Sequence, residues 1–202
     1  MVCDICFHRC ELKEGGRGYC GTRELQNGKL LSLNYGEITG LALDPIENKP
    51  LARFHPGSMI LSLGSWGCNM HCPWCQNDHI SRGKARSIHV TPDQIVSRAL
   101  ELKPEGNIGI AYTYNEPLIS FEFVRDTARA AHRAGLKNVL VTNGMVNRSR
   151  MEELLPLIDA LNIDLKTIRA DQYKKIGGDL ETVLENIRIA SFKSHIELTT
   201  LI

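Results

Sequence analysis

A short run of the chain, residues 67–77, reads GCNMHCPWCQN and brings three cysteines together. Three residues separate Cys68 from Cys72, and two separate Cys72 from Cys75. Structural zinc sites and ordinary electron-transfer clusters usually take four protein ligands. A cubane iron–sulfur cluster held by three cysteines keeps one iron open, where a substrate or cosubstrate can coordinate. The spacing therefore favours an open cluster over a zinc site that borrows a nearby histidine or three free buried thiols.

This spacing resembles the cluster-binding motif of the radical S-adenosylmethionine (SAM) superfamily, and Trp74 before the third cysteine fits that pattern. The resemblance implies that Cys68, Cys72 and Cys75 bind a catalytic [4Fe–4S] cluster, with Trp74 beside the cofactor. SAM would chelate the open iron through its amino and carboxylate groups. An electron from the reduced cluster would cleave SAM to methionine and a 5′-deoxyadenosyl radical, which abstracts hydrogen from a substrate. An electron donor such as ferredoxin or flavodoxin is the implied partner.

Composition narrows the class of protein. A chain of 202 residues is long enough for one ordinary domain with a small appendage. A formal net charge of +1 provides no general attraction to nucleic acid or to an anionic membrane. No apolar run reaches the roughly 18 residues that a membrane helix needs, and the first residues lack the features of a signal peptide. Seven clustered cysteines suit metal ligation in a reducing compartment, so we expect a cytoplasmic protein with no nucleic-acid or membrane partner.

The first 35 residues form a cysteine-rich unit. Its four cysteines lie in a glycine-rich segment and are Cys3, Cys6, Cys10 and Cys20. Four soft ligands of this kind can surround one metal, because glycine permits the tight turns that such a loop requires. Zinc is the first choice, and a rubredoxin-like iron or an auxiliary cluster is the second. A reduced arm without metal is the alternative.

Residues 36–57 are interpreted as a connector between this unit and the main domain, residues 58–202. The prolines of the segment DPIENKPL, residues 44–51, forbid a long helix. We expect the connector to lie in extended form across the main domain. Asp44, Glu47 and Lys49 are expected to be salt-bridged surface residues.

Strand and helix patterns alternate from residue 58 onward. The predicted strands are 59–63, 107–111, 138–142, 159–165 and 195–201, and the predicted helices are 92–102, 119–134, 148–157 and 179–190. This alternation predicts an α/β fold with parallel βαβ units, either as an open doubly wound sheet or as a barrel. Polar clusters follow four of the strands at their carboxyl ends. Because α/β barrels place their active sites there, the pattern favours a partial (βα) barrel.

Glu116 follows the second of these strands, in the sequence YNEP at residues 114–117. Its carboxylate suits either a helix cap or a hydrogen bond from a ligand amine. The sequence is similar to a Gly-Gly-Glu-Pro element that binds the SAM amino group in radical SAM proteins, although the two glycines are replaced here. We favour the contact with the methionine moiety of SAM over the cap.

Polar groups also follow the third and fourth strands. By resemblance, Thr142, Asn143 and Gly144 lie near the SAM ribose or carboxylate, and a plain strand-to-helix turn is the alternative. Asp164 and Lys166 share one face of an extended strand, so an ion pair without a ligand is one interpretation. Their Asp-x-Lys pattern is similar to one in pyruvate formate-lyase activating enzymes, which implies that the lysine meets the SAM carboxylate and the aspartate faces the active site.

The whole chain resembles the radical SAM enzymes of the AmmeMemoRadiSam system, which are described as pyruvate formate-lyase activating enzyme-like. The matching segments are the four-cysteine N-terminus, DPIE at 44–47, KPL at 49–51, HPGS at 55–58 and GCN at 67–69. Asn48 departs from the lysine expected there. The resemblance implies a radical SAM partial barrel and a reaction of the glycyl-radical-enzyme activating type on a protein substrate.

Two further interpretations remain open. The radical SAM core usually has six βα units, whereas this chain ends in its fifth predicted strand, so we expect a truncated barrel that is a fragment or is completed by a partner chain. The alternative to an enzyme is a non-catalytic iron–sulfur or zinc protein that transfers electrons or scaffolds a partner.

Overall fold

The computed structural model describes residues 1–83 and 85–200. Its central sheet has six strands and contains both parallel and antiparallel pairs. The strands of this described part are, in chain order, β1 Arg23–Gln26, β2 Lys29–Ser32, β3 Glu37–Ile38, β4 Gly40–Pro45, β5 Met59–Gly64, β6 Ile88–His89, β7 Asn107–Tyr112, β8 Lys137–Thr142, β9 Ala160–Asp164 and β10 His195–Thr199. The α-helices are α1 Asp78–Ser81, α2 Pro92–Glu101, α3 Phe121–Arg133, α4 Arg148–Leu154, α5 Ala170–Lys175 and α6 Leu180–Ser191. None of these helices is both long and apolar enough to cross a membrane.

The order of strands in the central sheet is β10-β9-β8-β7-β5-β4. The five strands from β5 to β10 in this sheet run parallel, and β4 pairs antiparallel with β5 at the edge. The expected α/β fold with a mostly parallel sheet is confirmed. Because parallel strands end at the same edge, the polar residues that follow β5, β7, β8 and β9 come together there.

Local sequence explains the two main helices. The side chain of Thr91 accepts a hydrogen bond from Gln94 N, and Gln94 Oε1 accepts one from Thr91 N, so a capping box starts α2 beside Pro92. The amphipathic α3 buries Phe121, Val124, Ala128 and Ala131 against the sheet. Both helices lie close to their predicted positions, whereas the short α5 was not predicted.

Helices and a chain segment cover opposite faces of the sheet. Leu61, Ile110 and Leu140 share a buried cluster with residues of α2, α3 and α6. The strand residues next to them, Ile60, Ala111 and Val139, belong to a second cluster, which also contains Ile46, Leu51 and Ala160. Because strand side chains alternate between faces, Ile46 and Leu51 cover the face that the helices leave open. This favours a barrel-like arrangement over a doubly wound sheet, and the truncated partial barrel remains a prediction.

The segment 46–53, called the inner segment below, contacts the far edge of the sheet. Asn162 of β9 donates a hydrogen bond from Nδ2 to Pro50 O at 2.9 Å. The carboxylate of Glu197 in β10 accepts from the backbone amides of Ala52 and Arg53, each at 2.8 Å. Because β4 precedes the inner segment directly, residues 40–53 connect one edge strand of the sheet to the other.

Part of the predicted connector, β4, belongs to the central sheet, and a 3₁₀ turn at Ile46–Asn48 follows it. The expected surface position of Lys49 is wrong. Lys49 is only 2% exposed because the inner segment places it between the sheet and the cleft described below. The division into residues 1–35, 36–57 and 58–202 remains a prediction.

The N-terminal residues pack directly on the sheet domain. Asn147 N donates to Ile5 O at 2.9 Å, and Cys6 forms an antiparallel bridge with Val146. The fully buried Arg23 donates from Nε and Nη2 to Ile119 O and from both terminal nitrogens to the carboxylate of Glu122. These contacts fix the position of the cysteine-rich unit against the start of α3.

Candidate functional site

A cleft of about 660 Å³ lies at the carboxyl ends of the parallel strands. Its lining includes nearly all of the cofactor residues expected in the main domain, which are Cys68, Cys72, Trp74, Cys75, Glu116, Thr142, Asn143, Asp164 and Lys166. They come from the ends of four different strands, which explains how they are far apart in sequence and adjacent in the fold. The cleft is within the size range of ordinary small-molecule sites.

The cysteine loop between β5 and α1 is held by backbone hydrogen bonds. Gly67 N donates to Ile80 O, and His71 N donates to Ile176 O, both at 2.9 Å. Gly67 has a φ of 87°, and a Cβ at this position would lie 2.4 Å from Thr22 Cγ2. Glycine is therefore required where the loop passes the N-terminal unit.

The thiols of the loop are partly withdrawn from water. Burial, reinforced by the nearby Glu116 carboxylate, raises the pKa of Cys68 to about 12, although Met70 N donates to its Sγ at 3.4 Å. Burial also raises the pKa of Cys72, and the Lys166 ammonium opposes this shift. Without a metal these two thiols stay protonated at neutral pH, and metal binding must release their protons.

The donor set around the loop fits an iron–sulfur cluster. Among residues 1–83 and 85–200, no group of three or more His, Cys, Asp or Glu side chains is arranged to hold one metal ion. A cubane spreads its thiolates over separate iron atoms, so three thiols that line one cleft suit it.

Glu116 is 3% exposed and is fixed by three donors. Its Oε1 accepts from Thr142 Oγ1 at 2.8 Å and from Leu118 N at 2.9 Å, and its Oε2 accepts from Asn143 N at 2.8 Å. Burial raises the pKa of Glu116 to about 7 despite these hydrogen bonds. The carboxylate caps the 3₁₀ turn Pro117–Ser120 and also lines the cleft, so the two interpretations of this residue are compatible.

The turn after β8 divides its three residues between two roles. Thr142 and Asn143 line the cleft, and Asn143 Nδ2 donates to Asn69 Oδ1 at 2.8 Å. Gly144 has a φ of 71°, and a Cβ there would lie 3.1 Å from Ile163 Cγ2. Gly144 therefore packs against the interior, and the turn accounts for it without a ligand.

Asp164 and Lys166 form the ion pair that the strand geometry allows, with 2.8 Å between Oδ2 and Nζ, and both line the cleft. Burial would lower the pKa of Lys166, but Asp164 and the nearby thiols raise it overall. The hydroxyl of Tyr173 accepts a hydrogen bond from Lys166 N at 3.0 Å. The lysine is therefore a positioned cation at the cleft.

A second ion pair in the cleft joins Asp44 and Lys49, which were expected to be salt-bridged but on the surface. Lys49 Nζ lies 2.7 Å from Asp44 Oδ2, and the same oxygen accepts from Tyr114 Oη at 2.8 Å. The ammonium also lies 4.9 Å from the centre of the Tyr114 ring. Burial and the hydrogen bond to Asp44 raise the pKa of Tyr114 to about 12, so it remains a hydrogen-bond donor. Gly40 and Gly64, which leave room for the Tyr114 ring, were the signal in the sequence for the position of that ring.

Residues 65–200 match the family model described as the Radical SAM superfamily. The chain belongs to the radical SAM superfamily. Family membership implies a [4Fe–4S] cluster and SAM as cofactors and, typically, a reductant. The narrower resemblance to AmmeMemoRadiSam enzymes remains a prediction.

Several relatives share this radical SAM region. An uncharacterized protein of Methanocaldococcus jannaschii is 42% identical over 99% of this chain and 60% of its own length. Pyruvate formate-lyase 1-activating enzyme of Escherichia coli is 29% identical over 55% of this chain and 47% of its own length. GTP 3′,8-cyclase of Lactiplantibacillus plantarum is 30% identical over 61% of this chain and 39% of its own length. The chain thus spans about 60% or less of these relatives.

A structural neighbour is QueE from Escherichia coli. The match has a TM-score of 0.46 and 10% sequence identity, and it covers 82% of this chain and 94% of QueE.

The N-terminal cysteines lie outside the region that matches the radical SAM model. All four line one small cavity together with Arg23 and Ile119, and they are Cys3, Cys6, Cys10 and Cys20. Burial raises the pKa of Cys3, and it raises the pKa of Cys6 to about 12. Four thiols around one cavity, with a buried guanidinium beside them, form a donor set that suits a zinc or iron ion. A metal at these four cysteines remains a prediction.

Proposed function

We propose that this chain cleaves SAM reductively and uses the product radical to abstract hydrogen from a substrate. The observation that carries the proposal is the meeting of Cys68, Cys72 and Cys75 with Glu116 and Lys166 in one cleft. When bound, the [4Fe–4S] cluster supplies the electron that breaks a carbon–sulfur bond of SAM, giving methionine and a 5′-deoxyadenosyl radical.

The protein's own groups suit the methionyl end of SAM, which carries an ammonium and a carboxylate. Glu116 offers a buried carboxylate that accepts from the ammonium, and its pKa near 7 falls when a cation binds beside it. Lys166 offers an ammonium to the SAM carboxylate, with Asp164 holding the lysine in place. Thr142 and Asn143 fix the orientation of the Glu116 carboxylate. Trp74, which is 49% exposed, provides an apolar surface beside the cysteines.

The remaining wall of the cleft is available to the molecule that loses hydrogen. Asp44, Lys49 and Tyr114 line this wall and present both an ammonium and a carboxylate. An activating-type reaction on a glycine of a protein is the substrate class that the resemblance supports. A cytoplasmic location, a ferredoxin or flavodoxin as electron donor, and a zinc or iron ion at the N-terminal cysteines belong to the same proposal.

A non-catalytic iron–sulfur or zinc protein is the other candidate. It requires the three cysteines but gives no role to a cleft that collects Glu116, Asp164 and Lys166 beside them. The cleft therefore favours the enzyme.

Anaerobic reconstitution with iron and sulfide, followed by addition of SAM and dithionite, tests the proposal. We expect 5′-deoxyadenosine in the chromatogram and a change in the electron paramagnetic resonance spectrum of the reduced cluster when SAM is added. Cys72→Ser should lose both the cluster and the product. Cys20→Ser, a thiol substitution in the N-terminal unit, should retain both and lose only a metal bound by that unit.

Two outcomes would argue against this function. Zinc retained by the 68–75 loop in protein purified without oxygen would exclude the open cluster. A complete cluster whose electron paramagnetic resonance spectrum does not change when SAM is added, with no 5′-deoxyadenosine formed, would favour the electron-transfer or scaffold alternative. Metal analysis of Cys72→Ser separately tests the N-terminal site, because any remaining metal must be bound elsewhere.

A further inference from the structure

Three rings form a stack on the surface beside the cysteine loop. The centre of the Tyr19 ring lies 3.9 Å from that of His8 and 4.6 Å from that of His71, with interplanar angles of 26° and 22°. Tyr19 Oη and His71 Nδ1 are 3.1 Å apart, and His8 Nε2 is 2.9 Å from Asn69 O. We call these three residues the aromatic stack.

The aromatic stack joins the two groups of cysteines. Tyr19, the middle residue of the stack, donates from its backbone N to Cys10 Sγ at 3.3 Å and so contacts the N-terminal cysteines. At one end of the stack, His71 directly precedes Cys72 in the chain, and the Cys72 carbonyl accepts a hydrogen bond from Arg82 Nη2 at 2.7 Å. Rings in van der Waals contact give an electron a shorter path than a gap filled with water. The stack is thus a direct route from the surface to the cysteine loop.

The stack is open to solvent and has cations around it. Tyr19 is 40% exposed, and its hydroxyl lies beside Gly177. The exposed Lys174 and Lys175 precede Ile176, which holds the His71 amide. Burial raises the pKa of Tyr19 and lowers that of His71, and the nearby Arg82 acts to lower both.

Arg9 adds a further exposed cation beside the stack, directly after His8. Two carboxylates belong to the same surface, since Asp78 pairs with Arg82, and Asp171 pairs with the exposed Arg169. The cations on this face outnumber the two carboxylates and leave it positive, which suits an acidic partner.

We propose that the aromatic stack and its cations are the docking surface for an acidic, low-potential one-electron carrier protein, and that the electron enters through Tyr19 and His71. The inference rests on the proposed function. In this electron transfer, the reduced carrier would lose one electron and the oxidised cluster would gain it, with no proton transferred and no bond formed or broken. Ferredoxin and flavodoxin share this chemistry, and the experiment distinguishes them.

Binding of the oxidised carriers gives a readout that does not depend on catalysis. The dissociation constants of a purified flavodoxin and a purified [2Fe–2S] ferredoxin are measured by calorimetry with the reconstituted protein. We expect one of them to bind, more weakly as salt is raised, and Lys174→Glu/Lys175→Glu to weaken that binding by about tenfold. Lys103→Glu/Arg133→Glu, a matched charge reversal at the opposite end of the sheet, should change the dissociation constant less than twofold.

Tyr19 tests the electron route. With the reduced carrier, Tyr19→Ser should slow cluster reduction about tenfold in stopped-flow absorbance, and Tyr19→Phe should restore it because the ring remains. With dithionite, which is small and needs no docking surface, both variants should form 5′-deoxyadenosine at the wild-type rate. Phe192→Ser, at an exposed ring elsewhere on the surface, should change neither measurement.

The results separate the two proposals. Wild-type protein that forms no 5′-deoxyadenosine with dithionite contradicts the proposed function, while the binding measurement still tests the surface. Unchanged carrier affinity in the lysine reversal variant, or equal weakening in its matched control, would overturn the docking surface. Loss of activity in Tyr19→Ser with both reductants and unchanged carrier affinity would show that the stack only supports the loop.

Discussion

The ring of Tyr114 lies so close to Gly64 that a Cβ on Gly64 would stand 2.7 Å from Tyr114 Cδ2. Gly40, which pairs with Gly64 across β4 and β5, faces the same ring, but its Cβ would be 3.6 Å away, an ordinary contact. Tyr114 itself has a φ of 70°, a conformation that costs a tyrosine on the order of 1–3 kcal/mol. Two strands and a strained residue thus combine to place one phenol in the cleft.

These two glycines make a matched pair of variants. Gly64→Ala should reduce the free energy of unfolding by about 1–3 kcal/mol, because the tyrosine ring or the backbone must move. Gly40→Ala should change it by less than about 1 kcal/mol, because the added methyl meets the ring at normal distance. Urea unfolding monitored by circular dichroism measures both. Equal effects of the two substitutions would contradict the close packing of the ring.

The Asp44–Lys49 pair should show strong coupling. Lys49→Met leaves Asp44 with Tyr114 as a remaining partner and should lower the free energy of unfolding by about 2–4 kcal/mol. Asp44→Asn/Lys49→Met should recover most of that loss, because replacing both members of a buried pair is often neutral. A double-mutant cycle in urea gives the coupling energy. Additive single effects would mean that the two groups do not interact.

Glu116 should make the SAM-free protein less stable as pH rises. Its pKa is about 7 in the folded protein against an ordinary value of 4.5, so between these pH values the folded state binds more protons than the unfolded chain. The free energy of unfolding should therefore fall by on the order of 3 kcal/mol across this window. Glu116→Gln should lack this fall, as measured by urea unfolding at several pH values. Parallel pH profiles for the two proteins would refute the shifted pKa.

Glu122 should act in the opposite direction. Burial would raise its pKa, but Arg23 outweighs this and lowers it. The stabilisation is complete above the ordinary pKa of 4.5 and is lost as pH falls through the lowered folded value. Glu122→Gln should therefore be less stable than wild type near neutral pH and approach it in acid. A difference that stays constant down to the acid transition would exclude this role for the pair. Thermal unfolding at a series of acidic pH values provides the measurement.

Much of the fold and of the site follows from local patterns. The capping box at Thr91 and the apolar face of α3 are encoded within a few residues, so the helices were predictable. The cleft residues were predictable because parallel strands end at a common edge, which brings Glu116 and Lys166 together without knowledge of side-chain contacts.

The inner segment could not be predicted in the same way. It is too short to show a helix or strand period, and Ile46 and Leu51 are buried only because the sheet leaves one face uncovered by helices. The sequence predicts an exposed Lys49 because Tyr114, whose ring its ammonium contacts, lies far along the chain. Burial of a charge is decided by tertiary contacts, which a local pattern does not contain.

The hydrogen bonds of the inner segment to Asn162 and Glu197 tie the first strand of the sheet to the last. Local opening of either edge strand must break the same few contacts. The strands β4 and β10 should therefore protect each other's amides from exchange with deuterium. The strands β4 and β10 do not pair with each other, yet they should open together as one cooperative unit. The cleft loses its shape whenever they open.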